Sequence, residues 1–163
     1  MRARAGITVA AAVALLGAGF AQQAGAATRD GTTGGAATRD GSVSASAARS
    51  TEIWFTNNTG CELRLANADL DHGIWTVYPL YSISPGGGGH WMSESDGFMT
   101  GTEGRVRYNL FGGCENKVLR IHWNNPYVGS NSYDCDDSSS GIRCGFWGGS
   151  GNNAVVTVTA DQA

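Results

Sequence analysis

Three histidines and several acidic and hydroxyl side chains are the groups in this sequence from which catalysis could be built. His72, His90 and His122 show neither H-x-H nor H-E-x-x-H spacing, and each reads as a strand-face or turn residue. Ser95 and Ser132 lack the G-x-S-x-G context that exposes a nucleophile. Glu94 and Asp96 invite a glycosidase reading, yet residues two apart in an extended strand simply share one face. A calcium loop starting at Asp134 needs glycine where Ser139 stands and glutamate where Gly145 stands. No catalytic constellation, metal site or cofactor is expected, and the chain reads as a binding protein rather than an enzyme.

The block from His122 to Tyr133 has a different chemistry. Trp123, Tyr127 and Tyr133 sit among Asn125, Pro126, Gly129 and Asn131, where an alternating run gives way to a loop. Aromatic rings with an apolar body and a polar rim suit a membrane interface or a sugar face. Amides bind phosphate or hydroxyl groups without adding charge. Trp123 is in phase with Leu119 and Ile121, so a place in the core is as well supported for it as a place in the site. Tyr127 and Tyr133 lie beyond the run and are expected to face a ligand.

Strands must position this block, because the apolar period is two throughout. Leu63 and Leu65 alternate with Glu62 and Arg64 in Cys61–Ala66. Val106, Tyr108 and Leu110 alternate with arginine and asparagine in Gly104–Leu110. Lys117–Trp123 and Ala154–Thr159 follow the same rule, and shorter strands are expected at Glu52–Thr56, Ile74–Val77, His90–Glu94 and Gly145–Trp147. Glycine- and asparagine-rich turns separate them. With 25 glycines and no capped 3.6-residue period, a helical bundle is excluded. The expectation is an all-β antiparallel β-sandwich of seven to nine strands.

The ends of the chain read differently. Residues 1–26 have the basic start, apolar run and Ala24-Gly25-Ala26 exit of a secretory signal peptide. Residues 27–50 are rich in Ala, Ser, Thr and Gly, repeat Ala-Ala-Thr-Arg-Asp-Gly once, and are expected to be a disordered linker or propeptide. The folded domain is then 51–163, where six basic residues stand against twelve acidic ones, a net charge of −6. That balance argues against nucleic acid as a partner. An exported chain with four cysteines and no C-x-x-C pair is expected to form two disulfides rather than a zinc site. Of the three pairings, Cys135–Cys144 closes the polar loop between them and leaves Cys61–Cys114; spacing alone leaves the others open.

Several blocks in one order resemble the aegerolysin family of small acidic β-sandwich proteins, over about 51–160. They are Gly101-Thr102-Glu103-Gly104 leading into Val106–Leu110, and Trp123-x-x-Pro126 with Gly129-Ser130-Asn131. Asn57–Cys61, His72-Gly73-Ile74-Trp75 and Ser93–Phe98 are more similar to its bacterial branch, which includes an insecticidal crystal protein. The resemblance implies a secreted, haemolysin-like cytolysin component that binds sphingolipid or sterol-rich membranes and acts with a larger pore-forming partner. It also implies Trp75, Trp123, Asn125, Pro126, Tyr127, Asn131 and Tyr133 as lipid-facing, with Gly101 and Gly104 as turn determinants. The alternative from another class is a non-lytic carbohydrate- or protein-binding module using the same aromatic end.

Overall fold

In the computed structural model, residues 48–163 are described; the expected signal peptide and all but the end of the expected linker lie outside them. Ten strands form two five-stranded sheets. Sheet A has the order β3 (Ile74–Val77), β5 (Gly88–Glu94), β1 (Ser50–Asn58), β10 (Asn153–Gln162), β9 (Ile142–Gly148). Sheet B has the order β4 (Ser82–Ile83), β2 (Glu62–His72), β6 (Thr102–Phe111), β7 (Val118–Asn125), β8 (Ser132–Asp134). No helix occurs among the described residues.

The alternating residues do what the period demands. Ile53 and Phe55, Leu63, Trp91, Val106, Tyr108 and Leu110, Leu119, Ile121 and Trp123, and Val156 and Val158 all meet in one buried layer between the sheets. The expected all-β sandwich of mostly antiparallel strands is what forms, with two differences of detail. The sandwich has ten strands rather than seven to nine, and it is not wholly antiparallel, because β1 pairs with β10 in parallel from Ser50↔Asn153 to Asn58↔Asp161. β2 also runs to His72, well past the expected Ala66. Bulges at Leu65/Asn67 and Leu70/His72 break its alternation and hide the continuation from a period-two reading. The first strand begins at Ser50, and Ser50 itself is buried.

The disulfides are Cys61–Cys114 and Cys135–Cys144. The first joins the β1–β2 turn to the β6–β7 turn at one end of the sandwich. On the chain-entropy account its 53-residue loop is worth about 4 kcal/mol, and the second, with a separation of 9, about 2.5 kcal/mol. The opposite end gathers the Gly73 turn, the 95–101 loop, the 126–131 loop and the 149–152 loop.

The outer face of sheet B carries a three-strand ionic clamp. His122 on β7 holds Asp134 of β8 through Nδ1 at 3.0 Å and Glu103 of β6 through Nε2 at 3.1 Å. Partial burial works against the imidazolium, but the two carboxylates outweigh it and the His122 pKa is raised. A raised folded-state pKa gives stability that is complete below the unfolded value of about 6.5 and is lost as pH rises through the folded value. The wild type should therefore lose stability above about pH 6.5 relative to His122→Gln, in urea melts run across that window. Parallel pH profiles for the two proteins would remove the clamp from the account.

Candidate functional site

The loop end is built around Arg49, the residue just before β1. Its Nε donates to Pro126 O at 3.0 Å and its Nη2 to Tyr127 O, while the guanidinium lies 5.0 Å from the Tyr127 ring centroid. Its backbone is paired with Ser95 in both directions, Ser95 N donating to Arg49 O at 2.8 Å and Arg49 N to Ser95 Oγ at 3.2 Å. One side chain and its peptide groups thus join the 95–101 and 126–131 loops.

Amides complete the knitting. Asn125 Nδ2 donates to Ser50 O and Asn152 O, at 2.9 and 3.0 Å. Asn131 Nδ2 donates to Gly149 O and Gly151 O, each at 2.9 Å, and Tyr133 OH donates to Gly149 O at 2.8 Å. Between these loops lies a shallow cleft of about 390 Å³, lined by Arg49, Pro126, Asn131, Tyr133, Gly149 and Asn152 among others.

This geometry corrects the expected site residues. Trp123 and Asn125 are fully buried and have no surface to offer a lipid. Trp123 Nε1 donates to Ser93 Oγ at 3.0 Å, so the indole is a satisfied core group. Trp75 is half-buried at the sheet edge, with its ring edge-on to Trp123 and to Tyr78. Tyr133 stacks on Phe146, and burial pushes its hydroxyl pKa up. Asn131 and Tyr133 brace the loop, whereas Pro126 and Tyr127 lie in it, half-buried.

Gly101 and Gly104 are not turn glycines. Gly101 precedes β6, and a Cβ there would lie 2.6 Å from Asn125 O and 2.8 Å from Pro126 Cα. Gly104 is inside β6, where a Cβ would lie 2.7 Å from the Trp123 ring. Both are required for close approach rather than for backbone conformation.

The groups that do reach solvent at this end were not among the expected ones. Phe98 is 90% exposed, Val128 82% and Met99 52%. Met99 also holds a left-handed backbone, φ 58°, which is costly for any residue with a Cβ. The sequence did carry a signal for Phe98 and Met99: large apolar residues between Asp96-Gly97 and Thr100-Gly101 have no strand to belong to. Arg49 had none, being one arginine in a polar stretch. Among the described residues, no group of three His, Cys, Asp or Glu is arranged to hold a metal ion.

Fold and site together define a small, disulfide-bonded β-sandwich that presents apolar side chains from braced loops at one end. The family described as Aegerolysin matches residues 49–162, and the chain belongs to it. Among solved structures it is similar to the lipid-binding protein Nakanori, with a TM-score of 0.60 at 14% identity over 71% of this chain and 72% of that one. It is also similar to RahU protein, solved in complex with a Tris molecule, with a TM-score of 0.58 at 16% identity over 72% of this chain and 98% of that one. No curated protein sequence matches the chain.

The bracing makes a specific demand on Arg49. Arg49→Ala should cost about 2 kcal/mol, the range for hydrogen bonds to a charged group, and raise amide exchange in 126–131, while 95–101, held by the peptide groups of residue 49, should change little. Arg49→Lys should restore little, since an ammonium cannot reproduce the fork of contacts. Unchanged exchange in 126–131 would show that this loop holds itself.

Proposed function

We propose that the protein is an exported lipid-binding component of a cytolysin, which docks on target membranes through its loop end. The observation that carries this reading is the joint exposure of Phe98, Met99 and Val128 on loops held together by Arg49. Side chains of this size each gain about 1.5–3 kcal/mol on burial, enough together to offset part of the cost of association. The domain is acidic, so attraction to anionic lipid is not the driving force; apolar insertion and recognition of a neutral headgroup are. Tyr127 and the 126–131 cleft lie beside the apolar tips and would meet that headgroup, sphingolipid or sterol-rich membranes being the target. Family membership and the lipid-binding neighbour Nakanori support the same reading, as do two disulfides for an extracellular location. A place in the bacterial, insecticidal branch of the family is part of the proposal.

The triple substitution F98A/M99A/V128A should abolish co-sedimentation with sphingomyelin–cholesterol vesicles and leave the melting temperature within a few degrees of wild type, as exposed positions do. Full retention of binding would refute docking through this end.

The domain should also bind without perforating. A membrane barrel needs spare strands of about 9–11 residues that can leave the fold. β2, β6 and β10 reach 10 or 11 residues, but each is paired along its length and supplies or flanks the core. A separate, larger pore-forming protein is therefore proposed as the partner. Purified protein bound to dye-loaded vesicles should release little dye; rapid, complete leakage without a partner would overturn this.

A further inference from the structure

The outer face of sheet A carries a second aromatic feature, on a different surface from the loop end. Strand register places His90 of β5, Trp54 of β1, Thr157 of β10 and Trp147 of β9 in one row across four strands. Ile53 and Phe55 on either side of Trp54 are buried, so the row faces outward. Trp54 is 50% exposed and Trp147 58%.

Neither indole is left to its own rotamers. The His90 ring stacks on Trp54 with centroids 4.1 Å apart and planes 19° apart, and His90 Nε2 lies 3.0 Å from Glu52 Oε1. Glu52 therefore orients His90, and His90 backs one face of Trp54. Rings stacked face to face across neighbouring strands stand up from the sheet, which turns the other face of Trp54 along the row towards Thr157. Trp147 is instead folded down along its own strand, over Gly145, where a Cβ would overlap its Cη2.

Two strand spacings separate the tryptophans, roughly 10 Å. A saturated ring needs about 3.5–4 Å of clearance on each side, so the interval above Thr157 holds one such ring in contact with Trp54. A groove of about 350 Å³ lined by Glu52, Glu94, Met92, Asn153 and Val155 continues along the same face. Its carboxylates and amide accept from and donate to hydroxyl groups.

We propose that this face is a carbohydrate-binding site for a neutral oligosaccharide. One pyranose ring stacks on the open face of Trp54, and its neighbours hydrogen-bond along the groove of Glu52 and Glu94. The carboxylates repel anionic glycans and anionic lipid. The hydroxyl of Thr157 between the tryptophans, with carboxylates on the flank, does not suit the dry, charge-depleted centre of a protein interface. The site stands whether or not the loop end binds lipid.

Native electrophoresis through gels containing hydroxyethylcellulose, a soluble β-1,3-glucan, glycol chitin or galactomannan tests it. At least one polysaccharide should retard the wild-type protein, and Trp54→Ala should weaken that affinity about tenfold, as loss of one stacked aromatic contact does. Trp54→Phe, which keeps a ring, should retain part of the retardation and covers the case in which Trp54→Ala folds poorly. The double variant W54A/W147A should still sediment with vesicles, whereas F98A/M99A/V128A should still be retarded in the gel. Absence of wild-type retardation in all four gels, or retardation unchanged in W54A/W147A, overturns the proposal.

Discussion

The indole of Trp123 is where the two sheets are keyed together. It projects from β7 in sheet B, and its Nε1 donates to Ser93 Oγ on β5 of sheet A, the same oxygen that accepts from Thr102 Oγ1 at 2.7 Å. Gly104 gives the ring its space, and Trp75 closes over it from the sheet edge. A polar tip in a buried layer must be satisfied or costs more than its hydrogen bond returns. That requirement fixes the relative position of β5, β6 and β7 just inside the loop end. The exposed loops can therefore be short and still be rigidly placed.

Arg49 and the amides of Asn125 and Asn131 extend this order outward. All three satisfy carbonyl groups rather than side chains, so they specify loop backbone without dictating what the loop tips carry. The arrangement separates two tasks. Buried polar groups hold the frame, and Phe98, Met99 and Val128 remain free to be apolar in water, a cost that the fold absorbs because the core elsewhere is well filled.

The sequence was most legible where period and burial coincide. Alternation in β6 and β7 identified both the strands and their inward residues, from Val106 to Ile121. It failed where the ladder is irregular, at the β2 bulges, and where strands are too short for a period, as in β4 and β8. The loop after β7 stood out in the sequence as a place, but which of its residues are exposed and which are buried did not. Tryptophan and asparagine serve equally well as ligand contacts and as buried, hydrogen-bonded braces, and Trp123 and Asn125 are the latter. Arg49 acts through contacts 77 and 78 residues away in sequence, which no local pattern encodes.

β10, the final strand, lies inside sheet A, between the first strand and β9. Sheet B is made from segments that all precede residue 135, so it can assemble early, yet two of the five strands that cover it, β10 and the β9 it pairs with, cannot be in place until Asn153–Gln162 arrives. A polypeptide emerging amino end first, from a ribosome or a translocation channel, cannot close this core before β10 has emerged. The topology thus keeps the chain threadable until that strand arrives. It also means that clipping the carboxyl-terminal strand removes the middle of a sheet rather than trimming an edge.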